Sequence, residues 1–179
     1  RIKPDINDIK NIKNGIKLVG SDSKGKIEGK ILKKDEKIFI DFKRVIDRGT
    51  SLTFKMNFKE DNDYIQSCYL DNRLGVWNAL KVAENLENGI IVFSCWEEHG
   101  GGSVGFLTNF IHSKYNINKA LISDITWVTD GVKAGEGVVI SLRDSGIPRR
   151  TYINKIVKLA KESNINFQLE VESSGGSDG

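Results

Sequence analysis

The strongest constraint on the fold is a change in hydrophobic periodicity near residue 64. Beyond it, continuous apolar runs alternate with runs whose apolar residues recur every three or four positions, as on one face of a helix. Strands that alternate with helices need crossover connections, which favour a mostly parallel sheet covered by helices. The sequence therefore predicts an α/β domain over residues 64–179.

The individual elements of this second part follow from the same patterns. The run at 89–96 is continuously apolar, as expected for a strand covered on both faces. Val76, Leu80 and Ala83 share one helix face, and Pro148 suits the first turn of a later helix. The full prediction is strands at 64–70, 89–96, 119–125, 137–142 and 166–171, and helices around 76–86, 104–115 and 148–163.

Residues 1–63 have a different character. Short runs with partial apolar alternation are separated by Gly, Asp and Asn, which predicts a small antiparallel β domain. The chain opens at Arg1 without an initiator Met and closes on the glycine-rich SSGGSDG. We therefore expect it to be a piece of a longer protein.

Composition limits the classes of partner. The 27 basic and 24 acidic residues are scattered, with no Arg/Lys block interleaved with aromatic residues, so a nucleic-acid partner is not expected. No apolar stretch reaches membrane-spanning length and no signal peptide is recognisable, which predicts no membrane partner and a cytoplasmic location. Cys68 and Cys95 are far apart and lie in strand-like runs, which predicts buried free thiols.

Carboxylates follow three of the predicted strands. Asp71, the adjacent pair Glu97 and Glu98, and Asp124 are separated by 26 or 27 residues. One βαβ unit takes about thirty residues. Because parallel strands end at the same edge of the sheet, these acids are expected to converge where open α/β folds keep their ligand sites.

A cluster of four carboxylates would be strongly destabilising without counter-charge, and Arg73 is the one cation nearby in sequence. Two divalent cations would resolve the repulsion and would activate water for hydrolysis. One glutamate of the adjacent pair would then bind metal while the other acts as general base. Each acid also has a simpler explanation: Asp71 as a helix N-cap, the two glutamates in an exposed loop, and Asp124 in a turn.

Four motifs in this order and spacing carry a family resemblance: CYLDNRLGVWNAL, VFSCWEEHGG, ALISDIT and SSGGSDG. Together they resemble the dinuclear metal aminopeptidases of the tetrahedral-aminopeptidase family, which includes glutamyl aminopeptidases and members labelled endoglucanase. The similarity covers residues 64–179. Residues 1–63 are similar to the dimerisation domain that this family inserts into its catalytic domain.

The resemblance implies a role for each acid. Asp71 would bridge two divalent metal ions, zinc or cobalt, while Glu98 and Asp124 would each bind one of them and Glu97 would be the catalytic base. It also implies a cis peptide bond between Asp71 and Asn72. Residues expected near the metals without a firm role are Asn72, Arg73, His99 and Asp178.

The chain departs from the family at the histidines. The family completes its site with one histidine before the inserted domain and one after the GGSD loop, and His99 and His112 occupy neither position. A fragment of a full enzyme and a variant with an incomplete site both explain this departure, and we favour the fragment. Imidazole ligands would then be missing from both metal positions, so this chain alone is expected to bind metal weakly.

The expected function is a two-metal aminopeptidase that removes N-terminal residues from peptide substrates. The intact protein is expected to be a homo-oligomer, either a dimer or a larger shell built from dimers. A deacylase or carboxypeptidase of the same fold would share every carboxylate named above. A non-catalytic homologue that serves as an assembly or interaction module is the alternative from a different class.

Overall fold

A computed structural model describes residues 11–35, 37–173 and 175–176. The chain divides into two compact units between Tyr69 and Leu70. The sequence predicts the boundary at 63/64, in the turn of a hairpin formed by Lys59–Glu60 and Ile65–Gln66. Because these two short strands pair with each other, the residues just after 64 belong to the first unit.

The first unit is built on a four-stranded antiparallel sheet with the strand order β3-β2-β1-β4. Its registers are continuous from Lys17↔Lys30 to Asp22↔Gly25 between the first two strands. The strands of this unit are β1 (Lys17–Asp22), β2 (Gly25–Lys34), β3 (Lys37–Asp41), β4 (Leu52–Phe54), β5 (Lys59–Glu60) and β6 (Ile65–Gln66).

Alternation along β2 places the core of this unit. Ile27, Gly29 and Ile31 are buried while the residues between them are exposed, as the two-residue period of a strand requires. Leu18 of β1 and Ile38 of β3 pack with Ile31 in one apolar cluster. The antiparallel β architecture predicted for this part of the chain is therefore formed.

A buried ion pair ties the β1–β2 turn to the segment after β3. The Asp22 side chain is fully buried and accepts two hydrogen bonds from Arg44, at 2.6 Å (Nη1–Oδ2) and 2.7 Å (Nη2–Oδ1). This guanidinium holds the pKa of Asp22 well below its usual range, and the backbone N–H groups of Asp47 and Lys24 act in the same direction. The turn is thus fixed by a two-point charged hydrogen bond whose carboxylate is shielded from water, while the Arg44 side chain stays 24% exposed.

The described residues of the second unit form three α-helices and one parallel strand pair. Its elements are α1 (Leu70–Ala83), α2 (Val104–Tyr115), β7 (Val138–Arg143), α3 (Arg150–Glu162) and β8 (Phe167–Val171). β7 pairs in parallel with β8, and Ile140 of β7 packs against Ile153 and Ala160 on the apolar face of α3. This is the βαβ arrangement predicted from residues 137–171.

The mixed α/β class is confirmed, but the mostly parallel sheet is not. The predicted strand at 64–70 is reduced to Ile65–Gln66 in the antiparallel hairpin of the first unit, and two further predicted strands are not formed. No regular secondary structure is assigned to 89–96, apart from a bend, or to 119–125. Within the described part of this unit, strand pairing is confined to β7 and β8. A parallel strand exists only where a neighbour supplies its hydrogen bonds, and apolar composition alone does not provide one.

The exposure of these segments corrects a second expectation. Val92 and Phe93 in the first, and Leu121 and Ile122 in the second, are exposed although their pattern predicts core positions. Cys95 is likewise exposed and Cys68 half-buried, so the prediction of buried thiols is wrong, whereas both cysteines are free as expected. Among the described helices, none combines the length and apolar content needed to cross a membrane.

Candidate active site

The start of α1 carries the first predicted metal ligand. Asp71 (φ −77°, ψ 115°) and Asn72 (φ −112°, ψ 53°) are not helical, and the peptide bond between them is cis, which confirms the geometry implied by the family resemblance. Asn72 Oδ1 accepts a hydrogen bond from the Gly75 backbone N–H at 2.8 Å. Asn72 rather than Asp71 therefore caps the regular part of the helix, and Asp71 lies on the exposed side of the chain.

The same turn of α1 is fixed to the residue before Asp124. Asn72 Nδ2 donates to the Ser123 carbonyl oxygen at 2.9 Å, and Asn78 Nδ2 donates to Ser123 Oγ at 2.9 Å. A Cβ atom at Gly75 would overlap the Ser123 carbonyl oxygen, so the close approach requires glycine at this position. Asp71 and Asp124 each directly adjoin a residue of the Asn72–Ser123 hydrogen bond.

The segment around Asp124 is held on its other side as well. The Ile125 backbone N–H donates to Asp124 Oδ1 at 2.8 Å. Thr126 Oγ1 donates to Glu170 Oε1 of β8 at 2.6 Å. Asp124 therefore lies on an irregular segment with an anchored residue on each side, at Ser123 and at Thr126.

The two adjacent glutamates form a short turn of their own. Glu97, Glu98 and His99 make a 3₁₀ helix, entered through Trp96 in the left-handed region (φ 67°). The backbone N–H groups of Gly100 and Gly101 both donate to the Glu97 carbonyl oxygen, at 3.1 and 3.0 Å. The predicted base and its neighbour are thus fixed by backbone contacts rather than by a long strand.

The glycines after the glutamates close this loop. The Ser103 backbone N–H donates to the Cys95 carbonyl oxygen at 3.0 Å, and Ser103 Oγ accepts from the Cys95 N–H at 2.9 Å. Gly102 has φ +43°, and a Cβ atom there would overlap the Cys95 carbonyl oxygen. The two ends of the loop can approach each other this closely, directly before α2 begins, because Gly102 has no side chain.

A metal ion needs several of these groups within reach of one point. Among the described residues, no group of three or more His, Cys, Asp or Glu side chains is placed to hold one. Asp71 and Asp124 lie on two segments joined by hydrogen bonds, and Glu97 and Glu98 lie on the loop of 95–103, which its own hydrogen bonds close. Carboxylate oxygens suit divalent cations, so the donor chemistry fits, but the described residues supply part of a centre rather than a complete one.

The remaining candidates divide into placed and unplaced residues. Asp178 lies outside the described residues. His99 and Arg73 are exposed, in the 3₁₀ turn and the first turn of α1. His112 Nδ1 lies 3.1 Å from the Ile117 carbonyl oxygen, which assigns this histidine to the end of α2 rather than to a site.

Several residues that hold the candidate acids in place are ordinary polar residues, which the sequence alone does not mark as functional. Ser123, Asn78, Thr126 and Glu170 act through hydrogen bonds between residues 44 to 51 positions apart. A local motif does not record such contacts. The glycine at position 75, close to Asp71 in sequence, is the nearest thing to a sequence marker for the Ser123 contact.

Comparison with known proteins identifies the family. The model of the M42 glutamyl aminopeptidase family matches residues 26–179 of the chain. This match covers most of the chain, which therefore belongs to the M42 peptidase family. The resemblance carried by the four sequence motifs is confirmed. A search of curated proteins finds no match.

Solved structures agree with this assignment. The TET1 peptidase of Pyrococcus horikoshii, which can assemble into a tetrahedron or a large octahedral shell, is 27% identical with a TM-score of 0.66, and the match covers 92% of this chain and 58% of that one. A TET aminopeptidase from a marine sediment Thaumarchaeota archaeon gives 18% identity, a TM-score of 0.75 and coverages of 92% and 56%.

An aminopeptidase from the archaeon Desulfurococcus kamchatkensis gives 23% identity, a TM-score of 0.70 and coverages of 91% and 55%. At 18 and 23% identity, these last two likenesses establish the shared fold alone. The chain spans little more than half the length of each of these three structures.

Proposed function

We propose that the protein containing this chain is a two-metal aminopeptidase that removes N-terminal residues from peptides. Family membership over 26–179 supports the peptidase class. In this proposal Asp71 bridges two divalent cations, zinc or cobalt, and Glu98 and Asp124 each bind one of them. Histidines from outside this chain complete the donor set.

The observation that carries the proposal is the pair of hydrogen bonds at Ser123. They join the cis turn at Asp71–Asn72 to the segment that bears Asp124. Two carboxylates 53 residues apart in sequence therefore lie on segments that are hydrogen-bonded to each other. The close approach at Gly75 supports the same reading, because the contact leaves no space for a side chain there. An ordinary helix cap would not need this connection.

The chemistry assigned to the chain's own residues is proton transfer and positioning. Bound cations supply Lewis acidity, which lowers the pKa of a water molecule and polarises a carbonyl group. Glu97 accepts the proton of the attacking water and later delivers it to the leaving amine. The 3₁₀ turn and the glycines that follow hold Glu97 in a fixed backbone geometry, which favours such a role.

Replacing the base tests the role of Glu97. In the full-length protein, Glu97→Gln removes the proton acceptor but keeps size and polarity, so we expect metal content to be unchanged and kcat to fall at least about 100-fold. Glu87→Gln, on an exposed stretch after α1, is the matched control and should keep full activity. Loss of metal and activity together would contradict the assignment of Glu97 as base.

A substrate panel tests the reaction class. The proposal predicts hydrolysis of peptides with a free N-terminal amine and of aminoacyl arylamides. Peptides with an acetylated N-terminus should not be cleaved, and no residue should be released from the C-terminus of a peptide. Release of acyl groups or of C-terminal residues would instead indicate a deacylase or carboxypeptidase with the same carboxylates.

Asp71→Ala should release both metals per subunit, and full retention in elemental analysis would refute the bridging role.

A non-catalytic assembly module is the second candidate, and one observation favours it. The described residues do not bring together three metal-binding side chains. This reading predicts no change in thermal stability on addition of zinc or cobalt, whereas the peptidase proposal predicts stabilisation of the full-length protein by bound metal.

Assembly is also part of the proposal. The antiparallel sheet of the first unit is proposed to be a dimerisation domain, and the unit from Leu70 onward to be part of the catalytic domain, consistent with the shell-forming TET1 peptidase. We place the protein in the cytoplasm because both cysteines are free. Light scattering of the full-length protein tests assembly: a monomeric mass would remove this part of the proposal.

A further inference from the structure

One face of β8 is polar and carries two residues that hold the segment beyond Asp124. Gln168 and Glu170 are two positions apart on this strand, so their side chains leave it on the same side. We infer that Glu170 is a positioning residue for Asp124, acting through Thr126. The inference rests on the proposed role of Asp124 as a metal ligand.

Glu170 is an unusual residue for its position. It is 8% exposed and is the one charged residue among the buried residues described in the second unit. Burying a carboxylate is costly unless it is hydrogen-bonded, and the Thr126 hydroxyl donates to Glu170 Oε1 at 2.6 Å. A short hydrogen bond to a carboxylate is among the stronger neutral-to-charged contacts in proteins, so it fixes Thr126 more firmly than a surface contact would.

Gln168 fixes the same segment further along. The Lys133 backbone N–H donates to Gln168 Oε1 at 2.8 Å, and Gln168 Nε2 donates back to the Lys133 carbonyl oxygen at 3.0 Å. The buried side chain of Val132 lies next to this clamp. The segment from Thr126 to Lys133 is therefore attached to β8 at two points, although it forms no strand there.

The Thr126 contact is the one closest to the proposed ligand. A single residue, Ile125, separates Thr126 from Asp124, and its N–H is bonded to the Asp124 carboxylate. Loss of the Thr126–Glu170 bond would remove the anchor on the C-terminal side of Asp124. The expected consequence is a less defined carboxylate position with the rest of the unit intact.

Metal affinity in the full-length protein is the first readout. Thr126→Val removes the hydroxyl but keeps the shape, and we expect zinc and cobalt to bind about tenfold more weakly, as for supporting residues of metal ligands. Thr126→Ser restores a donor and should recover affinity to within about threefold of the original on the same scale. Thr151→Val, at an exposed position of α3, is the matched control and should change nothing.

The partner residue gives a double-mutant cycle. Glu170→Gln keeps an acceptor and should behave like Thr126→Ser, whereas Glu170→Leu should behave like Thr126→Val. If the two groups act as one unit, the Thr126→Val, Glu170→Leu double variant should lose no more affinity than either single variant. Additive losses, or a Thr126→Ser variant no better than Thr126→Val, would overturn the inference.

Hydrogen exchange of the metal-free protein is the second readout, and it separates the inference from the proposed function. The Ile125 amide should exchange faster in Thr126→Val and Glu170→Leu, and at the original rate in Thr126→Ser, while the β7 amides stay protected. Unchanged exchange at Ile125 overturns the positioning role, as does equal loss of protection throughout β7. Absence of metal binding by the unaltered protein, with the exchange pattern as expected, would instead refute the metallopeptidase proposal and leave the positioning of Asp124 standing.

Discussion

The two units of this chain bury their apolar residues in different ways. In the first, neighbouring strands are joined by short connections, and the alternation along β2 is matched by burial at Ile27 and Ile31. In the second, β7, α3 and β8 form a packed βαβ unit, whereas the apolar runs at 89–96 and 119–125 stay exposed. Antiparallel hairpins find their hydrogen-bond partners nearby in sequence, and parallel strands depend on partners much further away.

The largest expected effect is in the core of the first unit. Ile31→Ala removes a buried side chain that packs with Leu18 and Ile38, and we expect it to lower the free energy of unfolding by about 2–5 kcal/mol. Ile147→Ala, at a 77% exposed position of the second unit, is the matched control and should cost less than about 0.5 kcal/mol. Native-state hydrogen exchange of the β2 amides measures the first change, and equal effects of the two substitutions would abolish the contrast between the units.

A second prediction concerns the loop of the adjacent glutamates. Gly102→Ala would force a side chain against the Cys95 carbonyl oxygen at a positive φ, and we expect a loss of about 1–3 kcal/mol. Gly100→Ala shares the positive φ but has open space around it, so it should cost about 1–2 kcal/mol at most. Thermal unfolding compares them, and a larger loss for Gly100→Ala would show that conformation rather than close approach decides the loop.

A third prediction tests how the Asp22–Arg44 ion pair of the first unit contributes to stability at different pH values. The pKa of Asp22 is lowered in the folded state, so its stabilisation is complete above the unfolded pKa of about 4 and is lost as the pH falls below that value. Asp22→Asn should therefore be less stable than the original protein at pH 7, with a difference that shrinks towards pH 3.

Urea unfolding followed by circular dichroism at both pH values measures this difference. Asp41→Asn, at the exposed end of β3, is the control for loss of a surface carboxylate and should change the free energy of unfolding at pH 7 by less than about 0.5 kcal/mol. A gap for Asp22→Asn that stays constant, or grows in acid, would contradict the role of its ionised form.

The smallest expected effect is on the exposed apolar surface of the second unit. Trp127 is 82% exposed, so Trp127→Ser should change the free energy of unfolding by less than about 0.5 kcal/mol. Far-UV circular dichroism, to which the helices α1, α2 and α3 of this unit contribute, reports its unfolding in the variant. A loss above about 2 kcal/mol would mean that Trp127 is covered in solution, since such losses come from buried positions.

How far the sequence predicts the fold depends on how local the contacts are. The pattern at 104–115 predicts a helix with the bounds of α2, and the apolar spacing at 148–163 predicts α3 and its buried face. The apolar run at 89–96 has equally strong composition, yet it does not become a strand, because a ladder needs a second backbone. The error in predicting Cys95 as buried has the same origin.

The candidate site divides in the same way. The order of Asp71, Glu97, Glu98 and Asp124, and the cis bond after Asp71, follow from motifs that can be read along the chain. The residues that hold these acids in place cannot be read in this way, because Ser123 contacts α1 through two hydrogen bonds and Thr126 contacts β8 through one, all across long sequence separations. Whether the four acids share one pair of cations stays a prediction.

The register of β8 has a consequence for sequence change in this family. Gln168 and Glu170 leave the strand on the same side, and the ladder with β7 contains an irregularity between Ser141 and Arg143, directly beside the Glu170 pairing. Inserting or deleting one residue in β8 would exchange this side with the one that carries Leu169 and Val171. Such a change would remove the hydrogen bonds of Thr126 and Lys133 to this strand. Insertions and deletions are therefore expected to be tolerated in the turns that flank β8 but not within the strand.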